Sequence, residues 1–258
     1  MDELPVAFAK FTRIPQPEGR VFAIGDVHGC CKELELLLDE LVSQWKVTNR
    51  DRVIFLGDFV DRGPDSCGVI NRVIEFCKDF PNTICLRGNH EDMLIDFLGQ
   101  PGGTMGEMFL PNGGVQTLES YGISDELPPA EIARLFPPSH LEFLLNLKIV
   151  VETDTHIFVH AGLNPKLPMD YQLMEDVLWI RGEFLYEPHT FGKVIVFGHT
   201  PFHEVVDDRP HKIGIDTGLV FGNKLTCLNV THLEAMQVAR GGLRVFSLNL
   251  SKQHPSED

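Results

Sequence analysis

Short apolar runs and amphipathic stretches alternate along the first hundred residues of the chain. The runs at 21–24, 53–56 and 83–86 are each followed by a stretch whose apolar residues recur three and four positions apart. That spacing is typical of an amphipathic helix. The runs are almost continuously apolar rather than alternating, which indicates strands that are buried on both faces. The pattern therefore predicts an α/β fold with a largely parallel sheet.

The alternation stops between Gly99 and His140, where glycine-rich and proline-rich runs surround a few apolar residues. We predict that 99–140 form a small helical insertion over the edge of the sheet. Apolar runs at 149–151, 157–159 and 194–197 predict further strands, and 225–230 and 244–250 predict closing antiparallel strands. A single domain then spans 20–250, between a flexible N-terminal arm at 1–19 and a disordered polar tail at 251–258.

Composition excludes several classes of function. The chain has 258 residues, enough for one large domain, and a formal net charge of −15. So acidic a protein does not suit general nucleic-acid binding, which needs a basic surface to displace counterions. No segment approaches the ~18 consecutive apolar residues of a membrane helix, and the first residues lack the pattern of a signal peptide. The six cysteines show neither disulfide-framework nor zinc spacing. We expect a cytoplasmic protein without membrane or nucleic-acid partners.

Five short polar motifs lie where the apolar runs end. They are Gly25-Asp26-Val27-His28-Gly29, Gly57-Asp58-Phe59-Val60-Asp61-Arg62-Gly63, Gly88-Asn89-His90-Glu91, His160-Ala161-Gly162 and Gly198-His199-Thr200. Asp58 lies 32 positions after Asp26, and Asn89 lies 31 positions after Asp58. Each interval is the length of one strand–helix–strand unit. Because ligands of open α/β sheets bind at the carboxyl ends of the strands, we expect these side chains to converge.

The converging side chains supply donors for two divalent metal ions. The candidate ligands of one ion are Asp26, His28 and Asp58, and those of the other are Asp58, Asn89, His160 and His199, with Asp58 bridging the two. Mixed nitrogen and oxygen donors suit Mn²⁺, Fe or Zn²⁺ better than Ca²⁺, and we take manganese as the first candidate. Two ions about 3.5–4 Å apart activate a bridging water for in-line attack on phosphorus and neutralise phosphate oxygens.

Four further side chains have candidate catalytic roles. Arg62 and Arg181 could clamp a phosphate through paired hydrogen bonds, which lysine would do less well. His90 follows a candidate ligand and is suited to protonating the leaving oxygen. Asp61 could orient His90 and keep it protonated. Together these residues indicate a phosphoester hydrolase.

The motif set resembles the phosphoprotein phosphatase family of calcineurin-like metallophosphoesterases over roughly residues 20–230. The resemblance implies two central mixed β-sheets flanked by helices, and the residue roles given above. The segment 178–181 resembles the family segment that carries the second phosphate-binding arginine, here Arg181, and 214–218 resembles a segment near the end of the core. The Ser-Ala-Pro-Asn-Tyr-Cys run of eukaryotic members is absent. The chain therefore resembles a compact bacterial or phage-type member, with no regulatory subunit implied.

Three functions compete on these residues. We predict a serine/threonine protein phosphatase, and the alternative is a symmetrical bis(5'-nucleosyl)-tetraphosphatase, whose family shares most of the motifs. By resemblance, tetraphosphatases typically lack the acidic residue found here at Asp61 and carry Asp where this chain has Glu91. A non-catalytic binding module is disfavoured because no ligand is missing. The expected substrate is a phosphorylated protein or a small phosphoester.

Overall fold

The computed structural model describes residues 8–242 and 245–250, in which the chain builds two six-stranded sheets flanked by helices. This confirms the predicted fold class. The strands are β1 Phe11–Arg13, β2 Val21–Ile24, β3 Arg52–Phe55, β4 Ile84–Cys85, β5 Val150–Glu152, β6 His156–Val159, β7 Val194–Phe197, β8 Val206–Asp208, β9 Lys212–Gly214, β10 Lys224–Asn229, β11 Glu234–Ala239 and β12 Val245–Asn249. The α-helices are α1 Cys31–Ser43, α2 Ser66–Asp79, α3 Asn89–Phe97, α4 Gly114–Ser120, α5 Pro129–Leu135, α6 Pro138–Leu145, α7 Met174–Trp179 and α8 Gly182–Tyr186. Short 3-10 turns cover Gly106–Met108, Leu110–Asn112, Met169–Tyr171 and Leu219–Phe221.

The two sheets pack face to face and are both mixed. The first has the order β12-β11-β10-β2-β3-β4, and the second has the order β1-β5-β6-β7-β9-β8. Strands β2, β3 and β4 are mutually parallel, as are β6, β7 and β9. Ala23 and Ile54 of the first sheet share one buried cluster with Phe158 and Val196 of the second. On the opposite face, Phe22 packs with the helices. Burial on both faces explains why the strand sequences are continuously apolar.

The predicted N-terminal arm is wrong for part of its length. Phe11–Arg13 pairs in parallel with Val150–Glu152 at the edge of the second sheet. Arg13 Nε also donates a hydrogen bond of 2.8 Å to Glu152 Oε2. A three-residue edge strand is held by backbone pairing and is too short to show a hydrophobic period. Residues 1–7 of the predicted arm and the predicted tail at 251–258 lie outside the described residues.

The segment 99–140 contains two 3-10 turns and the helices α4 and α5, and α6 continues beyond it to Leu145. Phe109 and Leu118 are fully buried in the core on the helical side of the first sheet. The carbonyl of Gly113 accepts a hydrogen bond of 3.1 Å from the backbone N–H of Arg62. The segment therefore packs directly against the loop that carries the second motif. Within the described residues, no helix has the length and apolar character needed to cross a bilayer.

Candidate metal centre and phosphate site

Five loops at the carboxyl ends of β2, β3 and β4 in one sheet and of β6 and β7 in the other bring the predicted site residues together, and Arg181 joins them from the turn between α7 and α8. The turns are tight. Among the described residues, eight that are not glycine have a positive φ, and five of these belong to the predicted site: His28, Asp58, Asp61, Arg62 and His199. Non-glycine residues rarely adopt this left-handed region, and such outliers cluster at functional sites.

One cluster of metal-donor atoms contains His28, Asp58 and His90, whose candidate ligand atoms all lie within 4.8 Å of one another. His28 Nε2 is 3.3 Å from Asp58 Oδ2. Its other ring nitrogen, Nδ1, is 2.9 Å from the carbonyl of Val60 and must donate the proton of that contact. The carbonyl therefore fixes the imidazole with Nε2 towards the carboxylate, as outer partners of metal-binding histidines commonly do.

A second cluster contains Asp58, His160 and His199, again with ligand atoms within 4.8 Å of one another. The side-chain oxygen of Asn89 is 2.9 Å from both His160 Nε2 and His199 Nδ1. His160 Nδ1 is 2.8 Å from the carbonyl of Leu56, so this nitrogen donates and Nε2 faces the Asn89 oxygen. When the His160 imidazole is neutral, its Nε2 and the Asn89 oxygen therefore face each other with lone pairs. Asp58 belongs to both clusters, which is the position expected of a bridging carboxylate.

Asp26 lies next to these clusters. Its Oδ2 accepts a hydrogen bond of 2.9 Å from the backbone N–H of His199. Among the described residues, no group hydrogen-bonds its buried Oδ1. Burial, followed by repulsion from Asp216 and Asp58, raises the pKa of Asp26 well above its usual value. A bound cation would stabilise such a buried carboxylate, which has one unsatisfied oxygen and two like-charged neighbours.

The donor set therefore fits divalent metal ions. Burial lowers the pKa of His160, and burial followed by the nearby His160 imidazole, which disfavours a second positive charge, lowers the pKa of His199 to about 2. Both imidazoles are then neutral, which is the form that binds metal. Burial opposes the charge on Asp58, but the neighbouring imidazoles of His160, His90 and His28 outweigh it and hold the pKa of Asp58 well below its usual value. Asp58 is thus a carboxylate shared between two groups of donors.

His90, a member of the first cluster, forms a buried pair with Asp61. His90 Nδ1 is 2.7 Å from Asp61 Oδ2, so the expected orienting contact is present. Burial, however, lowers the pKa of His90 well below 6.5 and raises the pKa of Asp61 to about 8. These directions oppose the expectation that Asp61 keeps His90 protonated. Thr117 Oγ1 donates a hydrogen bond of 2.6 Å to the other oxygen of Asp61.

One arginine adjoins each cluster. Arg62 Nη1 is 3.0 Å from His28 Nε2, and the Arg62 guanidinium carbon is 5.5 Å from the centre of the Phe221 ring. Arg181 Nε donates a hydrogen bond of 3.1 Å to His199 Nε2. Arg181 is exposed and Arg62 is half-buried. The two guanidinium groups therefore border the same site that the donor clusters form.

Sequence reasoning named the segments of two further carboxylates of this site but did not assign the roles of these carboxylates. The fully buried carboxylate of Glu91 accepts hydrogen bonds from four backbone N–H groups, those of Asp58, Phe59, Val60 and Gly88. Its place three residues after the cap Gly88 of α3 is a capping position, a signal that was available in the sequence. Asp216 follows β9 and accepts from the Gly218 N–H at 2.9 Å. Its position after an apolar run resembles that of the recognised ligands.

The fold and this set of donors define a metallophosphoesterase, a hydrolase of phosphate esters that uses divalent metals. Residues 19–228 match the calcineurin-like phosphoesterase family. The chain belongs to that family.

The chain is similar to several bacterial tetraphosphatases. It is 32% identical to the asymmetrical bis(5'-nucleosyl)-tetraphosphatase PrpE of Oceanobacillus iheyensis, over 85% of this chain and 92% of that protein. It is 28% identical to the PrpE of Anoxybacillus flavithermus, over 83% and 92% of the two chains. A crystal structure assigned provisionally as a diadenosine tetraphosphatase has a TM-score of 0.64 and 23% identity, covering 93% of this chain and 98% of that one.

Protein phosphatases share the fold at lower identity. A serine/threonine phosphatase of Saccharomyces cerevisiae has a TM-score of 0.55 and 14% identity, covering 97% of this chain and 86% of that one. Similarity at this level concerns the fold alone. The relatives with substantial identity are named bis(5'-nucleosyl)-tetraphosphatases, as in the alternative from the sequence, but asymmetrical rather than symmetrical.

Proposed function

We propose that this chain is a metal-dependent bis(5'-nucleosyl)-tetraphosphatase. The observation that carries the proposal is the 32% identity to the Oceanobacillus iheyensis tetraphosphatase over 92% of its length. A match of that extent includes the loops of the site as well as the frame of the fold. It favours the alternative over the serine/threonine protein phosphatase that the sequence motifs predicted.

The residues that favoured a protein phosphatase do not select a substrate in this structure. Asp61 and Glu91 are both fully buried. Asp61 bonds His90 and Thr117, and Glu91 bonds the backbone of the Asp58 loop. Neither side chain has a surface that could distinguish a peptide from a nucleotide. The choice between substrates therefore cannot depend on direct contact with either residue.

Each site residue has a proposed role. Asp26, His28 and Asp58 would hold one divalent ion, and Asp58, Asn89, His160 and His199 would hold the other, with manganese as the first candidate. When bound, such ions supply an activated water and neutralise phosphate charge. Arg62 and Arg181 bind phosphate oxygens between them, since each guanidinium borders one cluster. His90, oriented by Asp61, would act at the leaving oxygen.

The position of cleavage defines the products. Water adds to one phosphorus and one P–O–P bridge breaks. Attack next to a nucleoside yields a nucleoside monophosphate and a triphosphate, whereas central attack yields two diphosphates. Sequence reasoning named the symmetrical enzyme. We propose asymmetrical cleavage, because that is the specificity in the names of the relatives.

The test is hydrolysis of diadenosine tetraphosphate with Mn²⁺, with the products separated by anion-exchange chromatography. A phosphoserine peptide is assayed in parallel, and Asp58→Asn is the blank. We expect AMP and ATP in equal amounts and at least a tenfold preference for the dinucleotide in kcat/KM. Two ADP molecules would overturn the proposed asymmetry but keep the tetraphosphatase. Preference for the peptide would overturn the proposal and restore the protein phosphatase.

A further inference from the structure

We propose that Phe221 is a stacking platform for a nucleobase of the substrate. The inference rests on the proposed function and adds to it the residue that receives the base. Phe221 lies at the end of the 3-10 turn Leu219–Phe221, and 64% of its surface is exposed. A single exposed phenylalanine is ordinary in a soluble protein. The case for a role comes from the rigidity of its turn and from its neighbour.

The turn that carries Phe221 is held firmly. Gly218 and Gly222 flank it with φ of 68° and 97°, and Leu219 is buried. The N–H of Gly222 donates to the carbonyl of Leu219 at 3.0 Å. The N–H of Gly218 donates to Asp216 Oδ1 at 2.9 Å, so the base of the turn is anchored to a carboxylate of the candidate metal site. The backbone of the turn therefore presents a large apolar side chain to solvent beside the site.

The neighbour of Phe221 is Arg62, whose guanidinium carbon is 5.5 Å from the centre of the ring. That distance is within the range of a cation–π contact. The same guanidinium is 3.0 Å from His28 Nε2, through Nη1. Phe221, Arg62 and the first donor cluster are thus adjacent in that order. A phosphate held by Arg62 would place the attached nucleoside towards Phe221, because one ribose separates a base from its nearest phosphate.

The chemistry of phenylalanine defines the class of ligand. An exposed aromatic ring beside a positive charge is the usual combination for stacking a base whose phosphate is held nearby. The benzyl group has no hydrogen-bonding atom, so it cannot read the edge of the base. We therefore expect purine and pyrimidine nucleotides to bind with similar dependence on Phe221. A phosphopeptide has no planar base for this position.

The test compares two product-like inhibitors that differ only in the base, AMP and ribose 5-phosphate. Inhibition of diadenosine tetraphosphate hydrolysis is measured in the wild type, Phe221→Ala and Phe221→Trp. Tyr171→Ala is the matched control, because Tyr171 is an exposed aromatic (58%) that packs on Phe8. We expect Phe221→Ala to raise the inhibition constant of AMP about tenfold, as one stacked base requires. The constant for ribose 5-phosphate should stay within about twofold, and Phe221→Trp should restore AMP binding.

Two outcomes would overturn the inference. An unchanged constant for AMP in Phe221→Ala would show that the base lies elsewhere. Equal losses for AMP and ribose 5-phosphate would show that Phe221 acts on Arg62 alone. These results are distinct from failure of the proposed function, which appears in the wild type as preference for the phosphoserine peptide. In that event the nucleobase platform falls with the function, whatever the variant does.

Discussion

Four backbone N–H groups donate to the Glu91 carboxylate and hold the loop of the second motif, so we predict that changing this carboxylate destabilises the loop. Glu91 Oε1 accepts from the N–H groups of Phe59 and Val60 at 2.7 and 3.2 Å. Glu91 Oε2 accepts from Asp58 and Gly88, each at 2.9 Å. The substitution Glu91→Gln keeps the volume of the side chain but replaces one acceptor oxygen by an NH₂ group. Two buried N–H donors then face another donor.

The loss of stability in Glu91→Gln can be estimated from these two unpaired donors. A buried donor left without an acceptor costs about 1–3 kcal/mol, so two of them cost roughly 2–6 kcal/mol. That is a large share of the free energy of unfolding of a typical domain, about 5–15 kcal/mol. Asp58 has a left-handed backbone, with φ of 52°, and whichever oxygen is replaced, the released donors include an N–H of Asp58 or of the two residues that follow it. We therefore expect turnover to fall more than about tenfold as Asp58 leaves its position.

The assay is urea unfolding without metal at pH 8, followed by phosphoesterase activity with Mn²⁺. Burial, then repulsion from Asp58, raises the pKa of Glu91 to about 7, so pH 8 ensures that the wild type is compared as the carboxylate. The matched control is Glu33→Gln. Glu33 is also buried, but a single oxygen accepts from both Arg240 and Gly241, and glutamine retains that oxygen. A loss below about 1 kcal/mol in Glu91→Gln, with normal turnover, would refute the reasoning.

Three further outcomes are expected. Thr117→Val removes the 2.6 Å hydrogen bond to Asp61 Oδ1. It should lower turnover about tenfold on a substrate with a poor leaving group, such as an alkyl phosphate, and less on an aryl phosphate, and Thr117→Ser should recover the activity. Equal losses on both substrates would contradict an effect through leaving-group protonation. Glu152 is partly desolvated, but hydrogen bonding to Lys193 outweighs burial and lowers its pKa below 4.5, so its stabilising contribution is present above pH 4.5 and is lost as the pH falls through the lowered value. Acid titration of unfolding should therefore be shallower in Glu152→Gln, and an unchanged slope would argue against this ion pair. Removing metal with a chelator should lower the melting temperature, because a ligand present at a hundred times its Kd stabilises the folded state by about 2.7 kcal/mol. Asp58→Asn should largely abolish that shift. A full shift in the variant would contradict the shared ligand role of Asp58.

The position of the site could be predicted because its residues follow the strands. Each candidate ligand occurs directly after an apolar run, and the carboxyl ends of parallel strands meet at one edge. Asp58 and Asn89 are close for this reason, although 31 positions separate them. His160 and His199 come from the second sheet and reach the same Asn89 oxygen. A position directly after a strand can be recognised from the local sequence, and the fold keeps that position at the end of the strand.

Contacts between distant segments were not predictable in the same way. Thr117 lies 56 positions from Asp61 within a segment that shows no hydrophobic period. β1 is a three-residue edge strand, and its partner β5 is separated from it by more than a hundred residues. Phe221 looks like any apolar residue in the sequence, because exposure is a tertiary property. Glu91 was recognised as a motif residue. The direction of its carboxylate, however, depends on the Asp58 loop that surrounds it, which the sequence does not show.

The direction of Glu91 and Asp61 also explains why the motifs predicted the chemistry better than the substrate. Both carboxylates point into the protein and secure groups that any phosphoester hydrolysis at this site would use. The segment 99–140 contributes from the same inner side: Thr117 bonds Asp61, and the Gly113 carbonyl bonds the Arg62 N–H. A Cβ atom at Gly113 would lie 2.7 Å from that nitrogen, so the contact also requires glycine. This segment therefore supports the loop of the second motif, residues 57–63, from the inner side rather than covering it. Selection of the substrate is better assigned to groups that face outward at the rim, such as the exposed Phe221 beside Arg62, the candidate phosphate-binding arginine.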